Sequence, residues 1–368
     1  MGDYITLQRT TGWSSLKEYF RWDEVKQCLT LPVVELDGIK DWDQCLSLVK
    51  NARIHLGGDS VFQHAAAAYR VPAVIVFGST SPVGSGHITA VNLSNPICGT
   101  HCFIEDRYSN GWRCHDKCPH GKCIDSIDPM TIVAAVNKFL EPCPICGCAE
   151  KPASVAEFHS PYYVCGKCGL WRQIRDLPKT FESSAELPGD QMSEPDRQAN
   201  RAIAKYIQPQ VHVPGKHLSI GSKYPMLGHW LQVDHGRSCA AIDGIPEVVK
   251  FGKELGVEAY QVDAEQGIPG GPYASVDMVH LLEHIYNPIE FFNKVADVML
   301  PGGMLFVRGP NSDMEGISRD MTGPHYEIHP HVYNESSFKY LMSQVPRFKI
   351  LSYTGWKPGQ MDVFLERI

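Results

Sequence analysis

The sequence predicts an α/β protein with two doubly wound domains separated by a small cysteine-rich module. Apolar stretches of strand length alternate with segments of helical periodicity over residues 1–140, and the same alternation returns over residues 199–368. Residues 141–175 are instead rich in cysteine and glycine, and residues 176–198 are rich in proline, serine and acids. The latter segment is therefore predicted to be a linker or a mobile lid.

The elements of the first region follow one another as strand and helix. Residues 73–78 are continuously apolar, as expected of a strand covered on both faces of a parallel sheet. A helix is predicted over residues 59–70, with Asp59 or Ser60 at its cap, and an amphipathic helix over residues 129–140 closes the domain.

Composition and charge exclude several classes of protein. Apolar residues make up 43% of the chain, which is enough for ordinary cores, and the formal net charge of -7 disfavours a general nucleic-acid binder. No apolar run reaches the ~20 residues that a membrane span needs. The N-terminal residues lack the pattern of a signal peptide, so a cytoplasmic location is expected. The oligomeric state is not predicted.

Two C-x2-C-G turns lie in the cysteine-rich module. They place four thiolates at spacings typical of a tetrahedral zinc site: Cys143, Cys146, Cys165 and Cys168. The alternative interpretation is a pair of redox dithiols or free cysteines. The zinc interpretation makes the module a structural zinc ribbon, so that the predicted fold is two Rossmann-like, doubly wound domains joined by a zinc ribbon.

A second group of cysteines precedes the ribbon. Its members are interleaved with histidines and are Cys98, Cys102, Cys114, Cys118 and Cys123. Either a second metal site or a set of ordinary thiols would account for them.

Three strand ends in the second domain carry residues suited to a nucleoside ligand. Gly221 follows an apolar strand and would let the backbone approach a ligand closely. Asp243 ends the next strand, where an acid can accept both hydroxyls of a ribose. Asp263 ends a third strand, where it can accept a proton from an adenine amino group. A fourth strand is expected over 275–285, followed by a helix end, a Gly-Gly turn and a fifth strand over 299–310.

Residues 199–355 resemble the class I methyltransferases, especially the branch that includes quinone and sugar methyltransferases. The resemblance is carried by Ile220-Gly221-Ser222, Asp243, Asp263-Ala264, Leu282-Glu283-His284 and Pro301-Gly302-Gly303. It implies S-adenosylmethionine as cofactor, with Gly221 and Ser222 at the methionine part, Asp243 at the ribose and Asp263 near the adenine. Ala264 and Leu282 are the remaining cofactor-binding residues that it implies. The usual glycine-rich loop is reduced here to Gly221-Ser222-Lys223-Tyr224-Pro225.

The catalytic candidates lie after the fourth and fifth strands. Glu283 and His284 follow a strand end at the cofactor edge, and in some relatives this pair holds a divalent metal together with another acid at the position of His280. Helix capping or packing is the alternative role for both. His331 is the leading candidate for a general base, and His329 follows it; a satisfied or exposed histidine is the alternative for each.

Residues 4–140 resemble the C-terminal, nucleotide-sugar-binding half of glycosyltransferase family 9, the heptosyltransferases. The residues that carry this resemblance include Lys17, Gly58-Asp59-Ser60, His64-Ala65-Ala66 and residues 77–82. It implies that Lys17, Asp59, Ser60 and His64 face a diphosphate at a helix N-terminus. Val61 replaces the glycine of the family's turn, and the acceptor-binding half of the transferase is missing from residues 4–140.

The sequence therefore predicts an S-adenosylmethionine-dependent methyltransferase acting on a sugar, a nucleotide-sugar-like compound or another polar small molecule, in glycan or secondary-metabolite biosynthesis. A bifunctional glycosyltransferase–methyltransferase is the second interpretation. A non-catalytic binding or assembly protein with two degenerate Rossmann domains is the third, and Val61 and the reduced glycine loop favour it.

Overall fold

The computed structural model describes residues 2–11, 17–87, 89–95, 123–149, 154–156, 162–173, 193–221, 225–313, 329–354 and 359–368. The chain divides into two compact units. Unit 1 comprises Met1–Pro142, Ala149–Gly166 and Gln173–Arg175, and unit 2 comprises Cys143–Cys148, Lys167–Arg172 and Asp176–Ile368.

Unit 1 contains a five-stranded sheet in the order β2-β1-β3-β4-β5, and every neighbouring pair is parallel. Its strands are β1 (Ile5–Gln8), β2 (Val33–Glu35), β3 (Ile54–Gly58), β4 (Ala73–Phe77) and β5 (Ala90–Ser94). Because parallel strands need crossover connections, the chain passes through helices between most of them.

The helices of unit 1 cover both faces of this sheet. They are α1 (Trp22–Gln27), α2 (Trp42–Asn51), α3 (Val61–Ala68), α4 (Pro82–Ser85) and α5 (Pro129–Leu140). Val74 and Val76 of β4 pack with α1 and α5 in one apolar cluster, whereas Ile75 and Phe77 pack with α2 and α3 in a second cluster. Burial on both faces explains the continuously apolar β4. The helix predicted from residue 59 begins at Val61, after an N-cap at Ser60.

Unit 2 contains a seven-stranded sheet in the order β11-β10-β9-β12-β13-β16-β15. The first five are parallel, and β16 runs antiparallel to both of its neighbours. The strands are β9 (His217–Ile220), β10 (Cys239–Asp243), β11 (Glu258–Gln261), β12 (Tyr273–Val279), β13 (Met299–Pro310), β15 (Phe348–Thr354) and β16 (Gln360–Arg367).

The helices of unit 2 are amphipathic, and several begin with proline in their first turn, where its missing N–H is not needed. They are α6 (Glu194–Ile207), α7 (Met226–His235), α8 (Pro246–Glu254), α9 (Pro288–Asp297) and α10 (Glu335–Ser343). No helix among the ranges given above has the length and apolar character to cross a membrane.

Two boundaries in unit 2 differ from the sequence prediction. The fourth strand, β12, ends at Val279, and Leu282–His284 forms a short 3-10 helix rather than a continuation of the strand. The helix already ends at Asp297, and the Gly-Gly pair does not separate helix from strand. Strand β13 begins at Met299, next to Tyr273 of β12, and includes Gly302 with φ of 74°.

The ribbon segment forms short strands, with β6 (Ser154–Ala156) antiparallel to β7 (Tyr162–Val164). The third, β8 (Trp171–Gln173), pairs antiparallel with β14 (His331–Val332).

Candidate active site

The candidate site of unit 2 lies where the strand order of the sheet reverses. The chain leaves β9 toward β10 on one side and leaves β12 toward β13 on the other. The carboxyl ends of two such neighbouring strands diverge into a crevice, which is the usual ligand position of doubly wound sheets. Gly221, Asp243 and His280 directly follow or end three adjacent strands at this edge.

A buried polar network fixes β9 against β12 below this crevice. His217 Nε2 lies 2.8 Å from Asp277 Oδ1, and the Ser219 hydroxyl donates to the same oxygen at 2.5 Å. His217 Nδ1 lies 2.8 Å from Ser275 Oγ, and all four residues are fully buried. Buried polar groups of this kind favour one strand register, so the network holds the crevice in place.

Gly221 is required by its backbone conformation and by its neighbour. Its φ is 61°, in the left-handed region that favours glycine, and a Cβ there would lie 2.6 Å from Leu281 Cδ1. Its N–H donates to the Ile242 carbonyl at 2.9 Å, which ties the turn to β10. Ser222, predicted beside it, lies outside the described residues.

Asp243 presents a carboxylate at the end of β10. Its Oδ1 accepts a hydrogen bond from the Ile245 N–H at 2.9 Å. Burial raises the pKa of Asp243 to about 6, although the backbone hydrogen bonds from Ile245 and Gly244 oppose the rise. A desolvated carboxylate of this kind gains from hydroxyl donors supplied by a ligand.

Asp263 is engaged in the turn after β11. Its Oδ1 accepts from the Glu265 N–H at 3.0 Å, and its Oδ2 accepts from Gln266 Nε2 at 3.3 Å. Ala264 is half-buried in the same turn, whereas Leu282 is fully buried. The adenine contact predicted for Asp263 and the cofactor contacts predicted for Ala264 and Leu282 stay predictions.

Glu265 is a residue that the sequence analysis missed. Its Oε1 accepts from the backbone N–H groups of Tyr286 and Asn287, each at 3.0 Å, directly before the first turn of α9. It therefore joins the loop after β11 to the loop after β12. No local motif signals this contact, because the partners are 21 and 22 residues apart.

A buried carboxylate lies just beyond β12. Glu283 is 1% exposed, and its Oε1 lies 3.3 Å from Nδ1 of His280, whose φ is 55°. Among the described residues no group hydrogen-bonds the other oxygen, Oε2. Burial alone would raise the pKa of Glu283, but the hydrogen bond and charge of His280 and the charges of His329 and His284 outweigh burial and lower it to about 2.

Glu283, His284 and His329 come together at this point. One ligand atom of each lies within 4.8 Å of the others, and the rings of His284 and His329 are 4.6 Å apart. Burial lowers the pKa of His329 to about 4, against the opposing charge of Glu283. The site therefore combines an ionised carboxylate with a neutral imidazole, which can accept a proton or hold a divalent cation.

His331 is placed beside this cluster but is not part of it. Its Nδ1 donates to the Ile285 carbonyl at 2.9 Å, and burial lowers its pKa to about 4. The imidazole is thus neutral at pH 7, with its proton on Nδ1 and with Nε2 unprotonated. The general-base role predicted for His331 stays a prediction.

The four ribbon cysteines form a compact group. Their sulfur atoms lie within 4.8 Å of one another, and the sulfurs of the two buried members, Cys143 and Cys168, are 3.6 Å apart. Four sulfurs bound to zinc at 2.3 Å would be separated by about 3.8 Å in a tetrahedron, so the observed spacing fits the ion. The hydrogen bond from Cys168 lowers the pKa of Cys143 to about 5 despite burial.

The residues predicted to bind a nucleotide sugar line a cleft of about 720 Å³ in unit 1. Lys17 Nζ lies 2.7 Å from Asp59 Oδ2, and Gln63 Nε2 donates to Asp59 Oδ1 at 2.5 Å. The Ser60 hydroxyl donates to the side chain of Gln8, and His64 Nδ1 lies 2.6 Å from His87 Nε2. The structure thus brings these predicted residues together in one cleft. The Asp59 carboxylate, however, neutralises the positive charge of Lys17 that a diphosphate would need.

Some predicted features fall outside the described residues. They are residues 176–192 of the predicted linker or lid, and four members of the second cysteine group: Cys98, Cys102, Cys114 and Cys118. The fifth member, Cys123, is described.

Comparison with known proteins supports the assignment of unit 2. Residues 195–345 match a family model described as a methyltransferase domain. The ubiquinone biosynthesis O-methyltransferases of Xylella fastidiosa strains M23 and Temecula1 are each 26% identical over 132 residues, covering 33% of this chain and 53% of the relative. The chain thus spans about half the length of the curated relatives it matches.

Solved structures similar to this chain include an S-adenosylmethionine-dependent methyltransferase from Clostridium acetobutylicum, with a TM-score of 0.38 and 10% identity over 48% of this chain and 92% of that one. The PH0226 protein from Pyrococcus horikoshii has a TM-score of 0.41 and 14% identity over 49% and 94%. Residues 195–345 therefore match a methyltransferase domain in the part of the chain where the motif series predicts one.

Proposed function

We propose that this chain is an S-adenosylmethionine-dependent methyltransferase that methylates a hydroxyl group of a sugar or another polar small molecule. The observation that carries the proposal is the convergence of Gly221, Asp243 and Glu283 beyond adjacent strands at the switch point of unit 2. The match of residues 195–345 to a methyltransferase domain supports it.

The cofactor would bind along the carboxyl ends of β9 and β10. The turn at Gly221, whose left-handed backbone glycine permits, would lie beside the methionine moiety at the end of β9. The Asp243 carboxylate would accept hydrogen bonds from the two ribose hydroxyls. These would replace the hydrogen bonds from water that the carboxylate loses on burial.

S-adenosylmethionine supplies an electrophilic methyl group, whose transfer to an acceptor oxygen returns the bonding electrons to sulfur and leaves S-adenosylhomocysteine. The hydroxyl must lose its proton as the new bond forms. We assign that proton to the cluster of Glu283, His284 and His329, where the neutral His329 imidazole can accept it and the Glu283 carboxylate can stabilise the resulting charge.

The same three groups suit a divalent cation as an alternative. One carboxylate and two imidazoles are ligands that Zn²⁺, Mn²⁺ and Fe²⁺ accept, and the Glu283 Oε2 is buried without a hydrogen-bond partner among the described residues. If the protein binds one metal ion more than the ribbon cysteines hold, and if Glu283→Gln loses that additional ion, a metal role is favoured over direct proton transfer.

The acceptor class rests on two comparisons. The relatives named above are O-methyltransferases of ubiquinone biosynthesis, which favours a hydroxyl as the methylated group. The resemblance of residues 4–140 to a nucleotide-sugar-binding half favours a sugar, in glycan or secondary-metabolite biosynthesis. A bifunctional glycosyltransferase–methyltransferase is supported by the cleft around Lys17 and Asp59, and hydrolysis of a nucleotide sugar would test it.

Calorimetric titration with S-adenosylmethionine tests the proposal. We expect micromolar binding that Asp243→Ala abolishes, with Glu254→Ala, an exposed acid on α8, as the matched control. If the folded protein binds no S-adenosylmethionine, the enzyme proposal fails and an assembly role replaces it. If it binds, methyl transfer is screened on sugars, nucleotide sugars and phenols.

A further inference from the structure

We propose that a zinc ion held by the four ribbon cysteines fixes the position of the segment 329–334, which carries His329 of the candidate active site and the neighbouring His331. The inference extends the proposed function, because it concerns how the acceptor side of that site is held. The zinc site and the pairing of the segment stand on geometry that does not depend on the cofactor.

The ribbon is built to bring its sulfurs together. Gly147 and Gly169, which follow the two cysteine pairs, have φ values of 64° and 77°. The polypeptide therefore turns back sharply after the second cysteine of each pair. The Gly147 N–H donates to the Cys143 carbonyl at 2.9 Å. The sulfur spacing given above fits tetrahedral zinc.

The second cysteine turn leads directly into β8, which pairs with β14 of the segment 329–334. Trp171 and Arg172, a few residues after Cys168, pair antiparallel with Val332 and His331. β14 has two residues, so it has no intrinsic stability as a strand and depends on its partner.

A second contact joins the same turn to the start of α10. The Asn334 side-chain amide donates to the Gly169 carbonyl at 3.4 Å, while Asn334 Oδ1 accepts from the Ser337 N–H at 2.8 Å as the N-cap. A Cβ at Gly169 would lie 3.2 Å from Asn334 Nδ2. The backbone of the turn therefore lies directly against the helix cap.

The far side of the segment faces the catalytic cluster. The Tyr333 carbonyl accepts from the Ser312 N–H at 2.9 Å beyond β13, and His331 donates to the Ile285 carbonyl next to His284. The segment is thus held between the ribbon and the ends of β12 and β13. Without the metal, four thiols would replace the tetrahedral centre, and the turn that supports β14 would lose its fixed shape.

The experiment measures metal content and backbone protection in the full chain. We expect one zinc per chain, replaceable by cobalt(II) with thiolate charge-transfer absorption, and lost in Cys168→Ser. The matched control is Cys148→Ser, which changes a ribbon thiol outside the four ligands. Chelation of the wild-type protein, followed by zinc addition, provides the same comparison without a substitution.

Hydrogen exchange then follows the amides of 331–334. We expect zinc removal to raise their exchange rates at least tenfold and zinc addition to restore them, while β9 and β10 remain protected. Gly169→Ala should retain zinc yet lose protection at the same amides, because it disturbs the turn and not the ligands.

A chain that binds no zinc, or a segment whose exchange does not change when zinc leaves, would overturn the inference. Binding of S-adenosylmethionine is measured on the same samples. Its absence would count against the proposed function alone, since neither zinc content nor exchange at 331–334 depends on it.

Discussion

Glu283 forms a hydrogen-bonded pair with His280, in which Glu283 Oε1 lies 3.3 Å from His280 Nδ1. The φ of His280 is 55°, in the left-handed region that residues with a Cβ rarely adopt. A left-handed non-glycine residue costs on the order of 1–2 kcal/mol, so its surroundings must hold it in place. The His280 N–H also donates to the Arg308 carbonyl at 2.8 Å. The pair therefore places a buried carboxylate at the crevice at the expense of local strain.

Replacing Glu283 by glutamine should separate proton handling from cofactor binding. Glutamine keeps the shape but removes the charge that stabilises a protonated His329, so we expect methyl transfer to fall by about 10²–10⁴. The affinity for S-adenosylmethionine should remain within a few-fold, because Asp243 and Gly221 are unchanged. The control is Glu290→Gln, the same change at an exposed position of α9. Equal rates in the two variants would remove Glu283 from the mechanism.

The affinity for S-adenosylmethionine should depend on pH through Asp243. Its pKa is raised to about 6 by burial, and only the carboxylate can accept both ribose hydroxyls. We therefore expect affinity to decrease as pH falls below about 6, by at most about tenfold per unit. Calorimetry from pH 5 to 7.5 on the wild type and on Asp243→Asn checks this, since the variant should lack this step.

The same carboxyl group has the opposite effect on folding. Because its pKa is higher in the folded protein than in the unfolded chain, the folded state binds more protons between about pH 4 and 6. Its contribution to the free energy of unfolding therefore decreases as pH rises through that window. Asp243→Asn should flatten this part of the stability curve, and an unchanged curve would contradict the burial of the carboxylate.

Gly221→Ala should weaken cofactor binding as well as stability. Alanine would have to adopt φ of 61° and would contact Leu281 Cδ1 at 2.6 Å, so the turn must move. The matched control is Gly256→Ala, which has φ of 77° and no atom within 4 Å of the new Cβ. Both should lose about 1–2 kcal/mol of stability from the backbone. Only Gly221→Ala should also raise the Kd for S-adenosylmethionine, and an equal Kd in the two variants would show that the turn does not contact the cofactor.

Features that depend on local pattern were predictable from the sequence. The apolar run of β4, the position of Asp243 at a strand end, and the two cysteine turns each follow from neighbouring residues. Local signals also misled at one point, because the Gly-Gly pair of β13 indicates a turn, whereas pairing with β12 keeps Met299–Pro310 in one strand.

Features that depend on long-range packing were not predictable. His329 joins Glu283 and His284 only after the chain has passed through α9 and β13. The bidentate pair of Arg308 and Asp362 links residues 54 positions apart, and no motif marks either one. Such contacts follow from the strand order of the sheet, which a single sequence does not specify.

Breaking the Arg308–Asp362 pair should destabilise unit 2 strongly. The guanidinium donates to both carboxylate oxygens at 2.6 Å, and Asp362 is fully buried. Asp362→Ala leaves an uncompensated buried charge, for which the expected loss is about 3–5 kcal/mol. The double variant Arg308→Met with Asp362→Leu should lose less than the single variant. Urea unfolding, followed by hydrogen exchange of β13 and β16, measures both, and a larger loss in the double variant would contradict this account.

In unit 1, Asp59→Asn should increase the affinity of the cleft for a nucleoside diphosphate. Asp59 holds Lys17 Nζ at 2.7 Å, so its carboxylate both offsets the cation and repels an anionic ligand. Asparagine keeps the shape, and its amide oxygen can still accept from Gln63 Nε2, whereas its NH2 group cannot accept from Lys17. The positive charge is thereby released, and removing one negative charge at this distance should change the Kd by about tenfold. Asp41→Asn is the matched control, because asparagine also serves as an N-cap at the start of α2. Titration with uridine and adenosine diphosphates measures the effect. A Kd that rises in Asp59→Asn would show that the carboxylate, rather than Lys17, contacts the ligand, for example through ribose hydroxyls.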